Sequence, residues 1–290
     1  MTMVAEQQPL PGPAATSPYQ NLETLRTSFP DQGILHVELN RPNKLNAMNA
    51  VFWAEYKKVF ELAAHDPQVR VVIVSSNARV FTAGLDLSDE VVASNGETDP
   101  GRRGVALYHA VLNIQATFNA QANCQKPSIA VIHGACIGGG VDLVSAADIR
   151  YCSKDAYFCV KEVDIALAAD LGTLQRLPKV VGNDSWVREM CYTARNAPSA
   201  EALQVGLVSQ VCEDKEAVLQ AALETARLIA SKSPVAVVST KNVLNFSRSR
   251  TVEEGLNYVA TWNAFAIQTG DVRVAALASL SKKPATFSKL

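Results

Sequence analysis

Residues 69–76 read VRVVIVSS. A near-continuous run of β-branched residues offers no polar face to water, which is the mark of a strand covered on both sides. SIAVIH at 128–133 reads as a second such strand. Strands buried on both faces need a layer of other structure on each, so the chain is expected to be an α/β protein. NLETLRTS at 21–28 and GILHVELN at 33–40 alternate apolar and polar residues and read as a strand pair. RPNKLNAMN is a loop leading into a helix over AVFWAEYKKVFELAAHD, with Val51, Ala54, Tyr56, Val59, Leu62 and the stem of Lys58 toward one face. IRYCS and AYFCV read as two further strands, and from about Glu213 onward every segment has a helical pattern. The expected organisation is a loose tail over 1–18, a strand-and-helix body over 19–213, a helical region over 214–285 and a short tail over 286–290.

Charge excludes one class of partner. With 27 Lys and Arg against 28 Asp and Glu, nothing favours a nucleic acid or polyanion. The six cysteines (Cys124, Cys136, Cys152, Cys159, Cys191 and Cys212) contain no CxxC pair, which fits reduced thiols better than disulfides or a zinc site. No apolar run approaches the roughly 20 residues that span a bilayer. The first twenty residues carry neither a secretory nor a mitochondrial leader pattern. At the other end, KKPATFSKL sets Ser288-Lys289-Leu290, the peroxisomal address, on a polar, Pro-broken tail that an import receptor could reach.

Two strand-to-helix turns are rich in small residues: Thr82-Ala83-Gly84-Leu85-Asp86, and Gly134 to Gly140, reading GACIGGG. Helix N-termini carry unpaired N–H groups and partial positive charge, so they suit an anion or a developing oxyanion. Two such N–H groups converging on one carbonyl oxygen would form an oxyanion hole. The plainer explanation is that the glycines permit tight turns and close packing, since the triplet matches neither dinucleotide nor P-loop patterns. Four acids lie nearby. Asp142 has a ready explanation in the first turn of the proposed helix, where it complements the helix dipole. Glu162 follows a strand, and Asp164 reads as a solvated loop acid. Asp170 stands in Ala168-Ala169-Asp170-Leu171, either capping the helix that begins LGTLQRLPK or serving chemistry.

Three segments, FTAGLDL, KPSIAVIHGACIGGGVDLVSAADIRYC and FCVKEVDIALAADLGTLQRLPKVVG, resemble the enoyl-CoA hydratase/isomerase (crotonase) superfamily. More narrowly they resemble its Δ3,5-Δ2,4-dienoyl-CoA isomerases, from about Tyr19 to the C-terminus. That family has an Asp after the glycine motif, a Glu 20 residues on and an Asp 28 residues on, and Asp142, Glu162 and Asp170 match all three. The resemblance implies a ββα spiral core closed by C-terminal helices that build homotrimers or hexamers. It implies an acyl-CoA substrate and no metal or redox cofactor. It gives the oxyanion hole to the backbone N–H groups of Leu85 and Gly139. Thr82, Ala83, Gly84, Leu85, Asp86 and Gly140 would lie along the acyl thioester, and Lys44 and Leu45 near the CoA phosphates.

The implied reaction moves a proton from C2 to C6 of a 3,5-dienoyl thioester. Those carbons are about 5 Å apart given ordinary bond lengths, so one carboxylate cannot easily serve both. One acid must be ionised and one protonated, which apolar burial and a neighbouring carboxylate both favour. The expected assignment is Glu162 as base at C2 and Asp170 as acid at C6, with Asp142 biasing their shared protonation. An enoyl-CoA hydratase is the nearest rival, but relatives with that activity carry Glu where Asp142 stands. A Δ3,Δ2-enoyl-CoA isomerase needs only one acid. A non-catalytic or RNA-binding homologue is disfavoured by the three acids and the neutral charge balance.

Overall fold

The computed structural model of the protein describes residues 17–88 and 98–290. The expected tail over 1–18 thus lies outside the described residues except for Ser17 and Pro18. The strands are β1 (Leu25–Asp31), β2 (Ile34–Leu39), β3 (Val71–Ser76), β4 (Ser128–Ile132), β5 (Ala135–Ile137), β6 (Ile149–Ser153), β7 (Tyr157–Cys159), β8 (Ala197–Pro198) and β9 (Gln210–Cys212). They form a main sheet in the order β1-β2-β3-β4-β6-β9 and a small one in the order β5-β7-β8. In the main sheet only the β1–β2 hairpin is antiparallel.

Around the sheets run α1 (Ala50–His65), α2 (Pro100–Asn123), α3 (Gly139–Ala146), α4 (Thr173–Val180), α5 (Asp184–Thr193), α6 (Ser199–Gln204) and α7 (Lys215–Ala230). Every residue of β3 and β4 is buried. Alternate side chains serve different cores, as the strand period of two requires. Val72, Val74, Ala130 and Ile132 pack on one face with α1, α2 and α3. Val71, Ile73, Ile129 and Val131 pack on the other against Val218, Ala222, Leu223 and Ala226 of α7. The two-sided burial expected of VRVVIVSS is therefore met, and α7 supplies its second side although it lies in the region read as a separate helical tail.

Two details of the sequence reading change. The inward face of α1 is Phe52, Trp53, Tyr56, Val59, Phe60 and Ala63, whereas Ala54 and Lys58 are exposed. The aromatic residues win that face because each removes more apolar surface from water than an alanine or a lysine stem. The long helix α2 belongs to a stretch for which sequence suggested no element. Its start is marked by Asp99, whose side chain accepts the Arg102 N–H at 2.8 Å, with Pro100 in the first turn.

The last helices are α8 (Pro234–Ser247), α9 (Val252–Ala266) and α10 (Asp271–Ser281). Phe246 of α8 stacks on Tyr258 of α9 at 3.7 Å between ring centroids. Buried Lys241 fastens α8 to the body, giving hydrogen bonds to Asp148 Oδ2 at 2.7 Å and to the Lys126 carbonyl at 3.1 Å. Phe265 is 74% exposed and Leu280 84%, and Val252, Leu256 and Leu277 are exposed as well. At the C-terminus the Arg70 guanidinium donates to the carbonyls of Ala230 and Phe287 at 2.7 and 2.8 Å. Among the described residues no helix is long and apolar enough to cross a membrane.

Candidate active site

The two small-residue turns lie side by side because strand-like bonds pin them. The Thr82 N–H donates to the Ala135 carbonyl at 3.0 Å, and the Ile137 N–H donates back to the Thr82 carbonyl at 3.2 Å. On its far side the first turn is held by the 45–48 loop, through Ala83 N–H to Leu45 O at 2.9 Å and Met48 N–H to Gly84 O at 2.8 Å. Gly84 has φ +89°, and a Cβ there would stand 2.8 Å from the Ile137 carbonyl oxygen. Both facts require glycine, and together they let the two backbones touch. Gly138, with φ 54° and ψ −120°, then turns the chain into α3. None of the bonds that pin the two turns uses the N–H of Leu85 or of Gly139. Both residues line one cavity of about 110 Å³.

Several residues expected along the substrate stand behind the wall instead. The Thr82 hydroxyl is fully engaged, donating to the Asn46 carbonyl at 2.7 Å and accepting the Gly84 N–H at 3.1 Å. A Cβ on Gly140 would lie 2.5 Å from Thr82 Cγ2, so that glycine allows α3 to pack on the first turn. Asp86 is paired with Arg41 at 2.8 Å. Hydrogen bonds from Ser88 and Arg41 hold its carboxyl down at about 2. Leu45 sits in the left-handed region with φ 51° and Lys44 is exposed; neither lines the cavity. Ala83 and Gly84 do line it.

The three acids separate by environment. Glu162 opens a short 3-10 turn after β7 and lines the cavity beside Gly138. Its Oε2 is buried with no hydrogen-bond partner among the described residues. Burial, then the charge of Asp142, push its carboxyl up to about 7. Asp142 is 1% exposed, in the first turn of α3. Its Oδ1 accepts the Thr173 N–H at 2.6 Å, while Oδ2 has no partner among the described residues. Burial raises this carboxyl to about 6 against the lowering effect of the Thr173 bonds. Asp170 lines the same cavity as Glu162 but is exposed to solvent, and burial of its carboxyl raises it. Asp170 does not cap α4. The cap is Gly172, at φ 130°, and the acid that meets the helix end is Asp142. Asp164 is exposed and ion-paired with Lys161, as a solvated loop acid should be.

The cavity thus brings together Ala83, Gly84, Leu85, Gly139, Glu162 and Asp170, with Asp142 one layer behind. Sequence reasoning missed Trp53, which lines the cavity from α1 and whose Nε1 is buried without a partner among the described residues. Its aromatic neighbours made it look like plain core. Larger cavities, of about 570 and 750 Å³, lie among α7, α8, α9 and α10, are lined chiefly by apolar residues and are remote from the three acids.

The profile of a family described as Enoyl-CoA hydratase/isomerase matches residues 30–289. The chain is 50% identical over 280 residues to the Homo sapiens protein named Delta(3,5)-Delta(2,4)-dienoyl-CoA isomerase, mitochondrial, covering 94% of this chain and 85% of that one. It is 43% identical over 275 residues to the Arabidopsis thaliana isomerase of the same name designated peroxisomal, covering 94% and 98%. A crystal structure of a putative enoyl-CoA hydratase from Streptomyces coelicolor superposes with a TM-score of 0.84 at 25% identity, over 97% of this chain and 99% of that one.

Proposed function

The chain belongs to the enoyl-CoA hydratase/isomerase family, and from that premise we infer that it is a Δ3,5-Δ2,4-dienoyl-CoA isomerase serving β-oxidation of unsaturated fatty acids. The observation that carries this reading is that Glu162 and Asp170 line one cavity whose wall includes Leu85 and Gly139. The substrate is an acyl-CoA thioester. Glu162, ionised, takes the C2 proton. The electron pair left behind spreads over the thioester carbonyl and the C3=C4 and C5=C6 double bonds. Asp170, protonated, delivers its proton to C6, so that the double bonds come to rest at C2=C3 and C4=C5. The proton on Glu162 then returns to Asp170 before the next turnover.

The N–H groups of Leu85 and Gly139 donate to the thioester oxygen as it gains charge. Losing one such donor costs about 3–4 kcal/mol in comparable sites. Asp142 acts through charge: its repulsion raises the Glu162 carboxyl, so that Glu162 holds the proton it takes from C2 more strongly, and the three acids titrate as a coupled set. The step moves only a proton and electron pairs within the substrate, so its chemistry calls for neither a metal nor a redox cofactor. Hydration would need Asp142 to position a water. Burial behind the cavity and the bond from Thr173 argue against that role.

Two wider features belong to the reading. The exposed apolar side chains of α9 and α10 support a homotrimer, single or paired into a hexamer. Ser288-Lys289-Leu290 supports import into the peroxisomal matrix by its receptor, in line with the Arabidopsis relative and unlike the mitochondrial human one. The catalytic reading is tested by adding purified protein to 3,5-octadienoyl-CoA and following the absorbance of the conjugated 2,4-dienoyl thioester. Glu162→Gln and Asp170→Asn should each lower kcat by roughly 10²–10⁴-fold. Unchanged turnover in both variants would overturn it.

A further inference from the structure

Asp170 sits on an irregular segment, residues 166–172, between the 3-10 turn and α4, with Ala166 at φ 60° and Gly172 at φ 130°. Its carboxyl accepts from its own backbone N–H, so where it points follows where the backbone at 170–172 is held. The fixing comes from side chains on two helices. Gln115 of α2 reaches across and donates its Nε2 hydrogen to the carbonyl of Asp170 itself at 2.7 Å. Arg176 of α4 folds back and donates Nη1 to the Leu171 carbonyl at 3.2 Å, while its Nη2 donates to Asn119 Oδ1 of α2. The guanidinium lies in the space where a Cβ of Gly172 would be, so only glycine lets it approach. Both contacts lead to α2, and consecutive carbonyls at 170 and 171 are each held by one donor.

We propose that Gln115 and Arg176 are positioning residues that hold the 170–172 segment so that Asp170 delivers its proton to C6 of the substrate bound over Glu162. This rests on the isomerase reading of the cavity. Gln115, Asn119 and Arg176 are not among the residues that line the cavity; they act by setting the place of one carboxyl. Glu162 stands in the 3-10 turn after β7, whereas Asp170 lies outside any helix or strand, so its place depends on the contacts that hold its backbone. Displacements of about 1 Å from reacting geometry can cost on the order of 10²-fold in rate.

The test uses Gln115→Leu, Asn119→Leu, Arg176→Lys and Arg176→Met in the full chain, with wild type and Asp170→Asn as bounds. Isomerisation is read as 2,4-dienoyl product, and turnover of the base alone as deuterium entering C2 of unreacted substrate in D₂O. The expected result is that kcat for isomerisation falls about tenfold or more with KM within about twofold. C2 exchange should persist, so that the ratio of exchange to isomerisation rises. Arg176→Lys keeps the charge but not the forked geometry and should fail to rescue. A role confined to stability would lower both readouts together or leave both at wild type. If Arg176→Met does not fold, Gln115→Leu and Asn119→Leu on the exposed side of the clamp decide the question. Isomerisation at wild-type kcat in all folded variants, with Asp170→Asn inactive, would overturn the positioning role alone. An active Asp170→Asn would instead overturn the catalytic reading beneath it.

Discussion

A carboxyl kept ready to hold a proton lowers the stability of the fold around it, and Glu162 shows the sign. Its ordinary value is about 4.5 and its folded value about 7. At pH 4 the group is mostly neutral both folded and unfolded. As pH rises, the unfolded chain releases the proton first while the fold retains it, so stability falls between about 4.5 and 7 and the deficit stays constant above. Glu162→Gln has no charge to bury. It should therefore unfold at higher temperature than wild type at pH 8, by on the order of 1–2 kcal/mol after allowing for partial contact with water, and the advantage should vanish near pH 4. Thermal denaturation at the two pH values checks this; equal melting points at pH 8 would count against the strained carboxyl. The spacing of Asp142, Glu162 and Asp170 was legible because it is a property of order along the chain. That Asp142 accepts the Thr173 N–H at the start of α4 was not, since the two meet only after α3 and α4 pack.

At the scale of elements, the site depends on α3 coming close to the 82–86 turn. Gly140→Ala would press its new methyl against Thr82 Cγ2 and should cost about 1–3 kcal/mol, as overpacked cores do. Thr82→Ser removes that methyl but keeps the hydroxyl that bonds Asn46 and Gly84. The double variant should therefore recover at least about 1 kcal/mol of the loss, a coupling that denaturant melts of all four proteins would measure. Strictly additive losses would refute the contact. β3 and β4 could be read from sequence because a β-branched run with no polar period admits few other structures. α2 could not: Val105, Tyr108 and Leu112 on it are exposed, so its apolar residues do not gather into one buried stripe. The short strands β5, β8 and β9 escaped notice because two or three residues carry no period at all.

For the molecule as a whole, the exposed apolar residues of α9 and α10 are the surface on which the proposed homotrimer rests. Phe265→Glu combined with Leu280→Glu should dissociate that proposed assembly and lower its melting temperature, which sedimentation velocity and calorimetry would show. An assembly that survives both charges would remove these helices from the contact. The same scale explains why the organisation read from sequence differs from the packing: the change from mixed to helical pattern near residue 213 is real, yet α7 lies under the sheet. During synthesis this has a temporal cost. The sheet face formed by Ile34, Val71, Ile73, Ile129 and Val131 has no cover until α7 leaves the ribosome. At about 5–20 residues per second, that leaves a greasy nascent surface open for on the order of 5–20 s, an interval in which chaperones rather than the chain itself must keep neighbours apart.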